Sequence, residues 1–269
     1  MDIIFTSFFQ RALLGGMLIG IAAPLIGIFL VLRRLSMIGD TLSHAAIAGV
    51  ALGFLIGDMP IVFGMLFALI ASFAIEKLRH AYKSYAELSL AIIMSAGIAI
   101  ASILFTLGRD MNMDVDSFLF GFIYALSPND IWVILAVAVV VIVTVGFKYN
   151  QLFLMTFDEE AASISGMNVK YYNILISVLT ALVISISIKV VGGLLVSALL
   201  TIPAACSLII ARSFKQSIFI VMLVGELAVI LGLFIAGVWN LAAGGTIVLV
   251  LIVFLLLLLG WKGLVAGRK

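Results

Sequence analysis

The chain has 269 residues, of which 65% are hydrophobic and only 10% are charged, against roughly 25% charged residues in an average soluble domain. A fold in water needs polar residues to cover its surface, so this composition excludes a soluble enzyme domain, a disordered regulator and a nucleic-acid-binding module. The net charge of +2 is too small to indicate nucleic acid, and a single cysteine excludes an internal disulfide framework or a multi-cysteine metal site.

Apolar runs, divided at charges and turn residues, predict an all-α polytopic membrane protein with about eight or nine transmembrane helices. We expect spans at residues 12–32, 36–57, 60–76, 88–108, 130–147, 171–188, 190–210, 216–237 and 244–261. The seventh run contains Gly192, Gly193 and Pro203, which favours a broken or re-entrant segment over a straight helix. No soluble domain and no phosphate-binding glycine loop interrupt the runs, so residues 1–269 are predicted to form one transmembrane domain.

Basic residues are concentrated in the segments that follow the odd-numbered runs. Those segments hold Arg33, Arg34, Lys77, Arg79, Lys83, Lys148, Lys170, Arg212, Lys215, Lys262, Arg268 and Lys269. The positive-inside rule therefore places these segments in the cytoplasm, the N-terminus outside and the C-terminus inside. The loops on the opposite side are acidic, and one of them contains Asp110, Asp114 and Asp116. These carboxylates could attract cations to an outer mouth, form a docking surface for a partner or belong to a solvated loop.

The second run carries Asp40 and His44 inside the membrane. Residues four apart on a helix share one face, one turn apart. A carboxylate with an imidazole suits Zn²⁺, Mn²⁺ or Fe²⁺, although two ligands do not complete a tetrahedral site. A two-fold dimer with this helix at its axis would bring two copies of each residue together. The pattern therefore predicts a metal site, with a structural hydrogen-bonded pair or a proton relay as the alternatives.

Glu226 lies near the middle of the eighth run, where a charge costs at least about 2.5–3.5 kcal/mol. It is interpreted either as a ligand or attractive group along a cation path, or as a protonated glutamate hydrogen-bonded to a neighbouring helix. Cys206 is interpreted as a small packing residue rather than a thiolate ligand. Small-residue patterns that include Gly16, Gly20, Gly49 and Gly53 predict close helix packing.

Residues 148–170 form the most organised polar segment. Thr156 or Asp158 can cap a short helix with acidic residues in its first turn, and Gly166 can end that helix. Small residues and exposed acids suit the docking of a soluble partner, while a connector lying at the lipid headgroups is the alternative interpretation.

Three stretches of the chain carry motifs of a known kind. Residues 35–52 read LSMIGDTLSHAAIAGVAL, residues 190–205 read VVGGLLVSALLTIPAA, and Glu160-Ala161-Ala162 is followed by Gly166. The first resembles the G-D-[AT]-[IL]-S-H-[AS] signature of the bacterial zinc, manganese and iron ABC transporter permeases. The second resembles their V-V-G-x-L-L-V-x-A-L-L-x-x-P-A-A segment, and the third resembles the EAA loop of ABC importer permeases.

The resemblance implies an ABC importer permease fold that works as a homodimer or a paired permease in the bacterial plasma (inner) membrane. Its partners would be a cytoplasmic ATP-binding subunit and an extracytoplasmic metal-binding protein, with lipid around it and no nucleic acid. The chain itself would not be an enzyme, because ATP hydrolysis belongs to the partner. It would also hold no permanent cofactor. The resemblance also implies that Asp40 and His44 form a translocation site. It further implies an ATPase-coupling loop, which contains Glu159, Glu160, Ala161, Ala162 and Gly166.

The chain departs from this family at two places. Ile47-Ala48-Gly49 stands where the family often has L-P-G, and residues 240–246 read NLAAGGT where it has D-L-P-x-G-x-T. The second departure weakens the case for an acidic ligand near the outer end of the last span. The Ala-Gly form of the first motif is closer to the zinc permeases of Gram-positive bacteria, so we expect zinc, with manganese and iron open.

Two other functions fit the same residues. A proton-coupled secondary carrier would use Asp40, His44 and Glu226 as a relay, and it would need no ATPase. A membrane scaffold without transport would use these residues for stability alone. For the importer, the sequence predicts alternating access, in which a docked binding protein releases the ion outside and ATP-driven closure of the partner opens the site inward.

Overall fold

The computed structural model describes residues 7–57, 59–82, 85–108, 119–121 and 126–266. Within these ranges the chain is helical, as the sequence predicts. The helices are α1 (Ser7–Leu32), α2 (Met37–Ile56), α3 (Pro60–Ala81), α4 (Ala86–Leu107), α5 (Pro128–Phe147), α6 (Tyr149–Phe157), α7 (Glu159–Ile164), α8 (Val169–Val191), α9 (Val196–Ile210), α10 (Phe214–Trp239) and α11 (Ala243–Ala266).

Eight helices in the described part of the chain are long and apolar enough to cross a membrane: α1 to α5, α8, α10 and α11. The prediction of an all-α multi-span protein is therefore confirmed. With 15 residues, α9 extends about 22 Å, less than the roughly 30 Å of a hydrocarbon core.

The seventh apolar run differs from its predicted boundaries. Helix α8 continues to Val191, and the chain then turns at Gly192, whose φ of 88° suits a residue without a Cβ. Helix α9 begins only at Val196, and Pro203 lies inside it without ending it. The break that the sequence predicts is thus made by the glycines and not by the proline.

Close packing of small residues holds the bundle together. Helix α1 packs against α10, α9 and α5, while α2 packs against α3 and α4. A Cβ on Gly27 would overlap the carbonyl of Leu200, and one on Gly49 would overlap the carbonyl of Phe63. Backbones approach this closely only where side chains are absent, which confirms the close packing predicted for the second helix.

Several basic segments of the sequence lie at one end of the bundle. At the basic end, the ring of Phe214 at the start of α10 contacts those of Phe29 and Tyr149. At the opposite end, Lys189 near the end of α8 pairs with Asp130 at the start of α5. Helix α9 connects α8, which ends near Lys189, to α10, which begins at Phe214. The side of the membrane that each end faces stays a prediction.

Candidate metal site

One face of α2 is left partly uncovered by the rest of the chain. From residue 37 to residue 53, every side chain is buried except those of Met37, Asp40, His44 and Leu52. These positions recur at helical spacing, so they lie along one face. The two candidate ligands therefore lie where the monomer leaves α2 open, in a stretch of the helix that is otherwise enclosed.

A tight reversal between α1 and α2 sets the position of Asp40. Arg34 adopts a left-handed conformation with φ of 58°, and the amide of Leu35 donates to the carbonyl of Leu30. This closure lets α2 begin at Met37, which puts Asp40 in its first turn. A carboxylate is favoured there because the helix dipole carries partial positive charge at its N-terminus.

Asp40 lines a cavity of about 470 Å³ between α1, α2 and α9. The wall from α9 is formed by Ser197, Thr201 and Ala205, with Ala198 and Ile202 beside them. The first three recur every fourth residue, so small and hydroxyl-bearing side chains form one stripe of an otherwise apolar helix. The fourfold spacing of these residues is visible in the sequence. Only the structure shows that the stripe faces the cavity at Asp40.

Hydroxyl groups near the site are occupied as donors within their own helices. Thr41 donates to the carbonyl of Met37 at 3.0 Å, and Ser43 donates to that of Gly39 at 2.9 Å. Thr201 likewise donates to the carbonyl of Ser197 at 2.8 Å. Thr41 and Ser43 are buried and do not line the cavity, whereas Thr201 lines it and keeps oxygen lone pairs that can accept.

The side chains of Asp40 and His44 make no hydrogen bond or ion pair to any residue that the structure describes. The alternative of a hydrogen-bonded structural pair is therefore not what the geometry shows. Polar groups at membrane depth are costly unless a partner or a ligand satisfies them. An incoming divalent cation could be coordinated by the carboxylate and the imidazole together.

The described part of one chain contains no cluster of three or more histidine, cysteine, aspartate or glutamate side chains that could hold a metal. Among the described residues, Asp40 and His44 are therefore the two predicted ligands at this position. Oxygen atoms of other kinds, water, or groups from a second molecule would complete the coordination of an ion. The uncovered face of α2 is where such groups would reach the ion.

Glu226 lies in a different part of the bundle. Its carboxylate packs next to Gly20 of α1, and its Oε2 atom is buried with no hydrogen-bond partner among the described residues. It does not line the cavity at Asp40. Cys206 is fully buried, as expected for a packing residue. The predicted outer residues Asp110, Asp114 and Asp116 lie outside the described residues.

The predicted short helix in the 148–170 segment is confirmed as α7. Of the two predicted caps, Asp158 takes the role, since its side chain accepts from the amide of Ala161 at 2.8 Å. Thr156 instead donates to a carbonyl within α6. Gly166 follows α7 with φ of 80°, and the next amide closes on the carbonyl of Ala162 at 3.1 Å. This is the glycine-terminated ending that the sequence indicates.

Arg33 connects this loop to the body of the protein. Its guanidinium donates to Glu159 at 3.2 Å and to Asn173 of α8 at 2.6 Å. The side chain is only 7% exposed; burial lowers the pKa of Arg33, and the facing Glu159 carboxylate opposes that shift. Glu159 is thus held in an ion pair at the surface of the bundle, whereas the neighbouring Glu160 and Ile164, the latter 87% exposed, face outward.

Comparisons with known proteins agree over nearly the whole chain. The family model described as the ABC 3 transport family matches residues 6–261. A probable metal transport system membrane protein of Treponema pallidum is 35% identical, over 94% of this chain and 95% of that protein. The manganese import system permease protein ScaB of Streptococcus gordonii is 34% identical, over 90% of this chain and 87% of that protein.

A third relative is named for a different ion. The high-affinity zinc uptake system membrane protein ZnuB of Haemophilus influenzae is 30% identical, over 88% of this chain and 91% of that protein. Among solved structures, PsaBC from Streptococcus pneumoniae in complex with Fab matches with a TM-score of 0.86 and 33% identity. That match covers 96% of this chain and 92% of the other.

Proposed function

The chain belongs to the ABC 3 transport family, and from that premise we propose that it carries Mn²⁺ through the site formed by Asp40 and His44. Membership and relatives establish the broader role, which is the permease subunit of an ABC metal importer. ATP hydrolysis belongs to a separate subunit, so the chain is not an enzyme. It is a multi-pass protein of the bacterial inner membrane.

One observation carries the proposal: Asp40 and His44 face a cavity or an uncovered helix face without any described polar partner. In a chain with few charges, such groups are retained at membrane depth for use. A dehydrated divalent cation would be held by the carboxylate and imidazole, and by oxygen lone pairs from the α9 stripe. The position of the site between α1, α2 and α9 suits a path through the bundle.

The choice of manganese rests on the donor set and on the relatives. Asp40, Ser197 and Thr201 all line this cavity, so the metal ligands that it offers are oxygen atoms. Carboxylate, carbonyl and water ligands suit Mn²⁺. Cys206 is buried away from this lining, so no thiolate favours a softer ion. The relative from Streptococcus gordonii is named as a manganese import permease.

Zinc is the second candidate, as the first sequence motif suggested. The imidazole of His44 is a good zinc ligand, and the relative from Haemophilus influenzae is named for zinc uptake. Two ligands per chain fit either ion, so the remaining coordination decides the preference.

The partners follow from family membership. An ATP-binding subunit would dock on the exposed surface of α7, where Glu160 and Ile164 face outward. An extracytoplasmic metal-binding protein would deliver the ion at the opposite end of the bundle. Closure of the ATP-binding subunits would push on α7, and the Arg33–Glu159 contact would carry that movement to α1, which lines the cavity through Val31.

We further propose that the working unit contains two permeases with their α2 faces towards a common path. A second copy would supply another carboxylate and another imidazole, and so complete a four-ligand site. The described residues of one chain do not reach three metal-type ligands, which is what makes a second copy useful.

Metal accumulation tests the ion. The permease is expressed with its ATP-binding and metal-binding partners in a bacterium that lacks its own manganese and zinc importers. Cell-associated metal is then measured after equal exposure to Mn²⁺ and Zn²⁺. Preferential manganese accumulation supports the proposal; preferential zinc accumulation supports the second candidate, and accumulation of neither ion contradicts both.

A further inference from the structure

A second cavity of about 470 Å³ opens on the side of the bundle at its basic end. It lies between α1, α5 and α10, with α6 beneath it, and its wall is formed by residues such as Leu25, Ile142 and Met222. This volume lies within the about 300–1,000 Å³ of typical small-molecule sites. A Cβ on Gly146 would meet no atom within 4 Å, so the groove is open at that point.

The polar groups of this groove are all at one end. Tyr149, at the start of α6, and Lys215, in the first turn of α10, contribute a phenol and an ammonium group to its lining. No acidic residue lines the groove, and Lys215 has no ion-pair partner in the part of the chain that the structure describes. The dipole of the 26-residue helix α10 adds partial positive charge at the same place.

This arrangement matches the two parts of a phospholipid. The apolar walls extend along α5 and α10 towards the middle of the bundle, which suits an acyl chain. The ammonium group lies at the end of the bundle that carries the basic residues, where an inner-leaflet headgroup would lie. We propose that this groove binds an anionic glycerophospholipid of the inner leaflet, with its phosphate at Lys215 and Tyr149 and one acyl chain in the groove.

Charge complementarity selects this occupant over a neutral lipid. Lys148 precedes Tyr149 in the chain and, like Lys215, has no ion-pair partner among the described residues. Basic side chains at a cytoplasmic membrane surface attract anionic lipids, and each contributes to the affinity. A zwitterionic headgroup would place its own cation near these two lysines.

The bound lipid would stabilise the base of the coupling segment. The ring of Phe214, next to Lys215, lies 5.8 Å from that of Tyr149 and 5.2 Å from that of Phe153 in α6. Helix α6 leads directly into α7. An occupant that contacts both Tyr149 and Lys215 would therefore hold α6 against α10 and limit the movement of the loop.

Lipid titration of the delipidated complex tests the site. The permease, purified with its ATP-binding subunit in mild detergent, is titrated with phosphatidylglycerol and with phosphatidylcholine of the same acyl chains. Binding is followed by native mass spectrometry and by the melting temperature. We expect tighter binding and a larger stabilisation with phosphatidylglycerol, and a loss of about five-fold in that preference in the Lys215→Gln variant.

Two further variants separate the headgroup contact from the acyl-chain contact. Lys262→Gln removes a lysine near the end of α11, away from the groove, and should leave the lipid preference unchanged. Gly146→Leu fills an open point of the groove and should weaken binding of both lipids while the protein stays folded. Equal binding of the two lipids, or wild-type binding by both Lys215→Gln and Gly146→Leu, overturns the proposal. A changed oligomeric state of Gly146→Leu with unchanged lipid binding overturns it too, because the groove would then be a contact between proteins.

Discussion

Arg33 and Glu159 are 126 residues apart in the chain, yet their side chains form an ion pair of 3.2 Å at the basic end of the bundle. Arg33 follows the last turn of α1, and Glu159 is the first residue of α7. Because Val31 of α1 lines the cavity at Asp40, this contact is a short structural connection between the predicted ATPase-coupling loop and the candidate metal site.

Breaking this connection should uncouple ATP hydrolysis from transport. In the Arg33→Gln variant, we expect metal uptake to fall about five- to ten-fold, a typical magnitude for coupling between two sites. ATP hydrolysis by the assembled complex should fall much less, because the exposed face of α7 is retained. Lys170→Gln, which changes an exposed basic residue in the first turn of α8, is the control. Equal loss of uptake and hydrolysis would contradict a role in coupling and indicate a role in assembly.

The buried ion pair at the opposite end should contribute to stability. The Nζ atom of Lys189 lies 2.7 Å from Oδ2 of Asp130, and each side chain is 12% exposed. Removing one partner leaves a charge with little solvation, so Lys189→Met should lower the free energy of unfolding by about 3–5 kcal/mol. Thermal unfolding of the purified protein checks this value. Asp130→Asn in the same chain should recover part of the loss, and no recovery would argue against a pairwise interaction.

The close approach of α1 and α9 predicts intolerance to a single methyl group. In Gly27→Ala, the new Cβ would overlap the carbonyl of Leu200, and α9 would have to move. Overpacking of this kind costs about 1–3 kcal/mol, so the melting temperature should fall. Uptake should fall as well, because α9 forms one wall of the cavity. Gly260→Ala, which meets no atom within 4 Å, is the control and should behave as wild type.

The ending of α7 should depend on the left-handed conformation of Gly166. Gly166→Ala adds no steric contact, but a left-handed backbone costs about 1–2 kcal/mol for a residue with a Cβ. We expect this variant to retain less of the ATP-binding subunit during affinity purification. Gly166→Asn should retain more than Gly166→Ala, since asparagine tolerates this conformation better. Equal retention by the two variants would show that the backbone angle is unimportant for docking.

Local patterns predicted much of this structure. Apolar run lengths identified the membrane helices, and the spacing of Asp40 and His44 identified the shared face of α2. The cap at Asp158 and the glycine at 166 identified α7 because helix ends depend on neighbouring residues. Each of these features depends on interactions within a few residues along the chain.

Features that depend on tertiary packing could not be predicted in the same way. The stripe of Ser197, Thr201 and Ala205 has a visible period, yet nothing local shows that it faces Asp40. The Arg33–Glu159 pair joins two loops whose proximity follows from the whole bundle. The predicted start of the seventh run at residue 190 is wrong, because the chain turns at Gly192, whose φ is 88°, and α9 begins only at Val196.

Two substitutions test whether Asp40 and His44 bind the transported ion. Asp40→Asn and His44→Gln keep the size of each side chain but remove the negative charge or the imidazole. Met37→Leu changes the same uncovered face without touching a ligand and serves as the control. All three variants would be compared at equal amounts in the membrane with their partner subunits present.

The most direct measurement is the initial rate of Mn²⁺ uptake into proteoliposomes that contain the complete importer. We expect uptake to fall at least about tenfold, equivalent to about 1.4 kcal/mol, in both Asp40→Asn and His44→Gln, with ATP hydrolysis retained and Met37→Leu unchanged. Wild-type uptake by both ligand variants would contradict ion binding by Asp40 and His44.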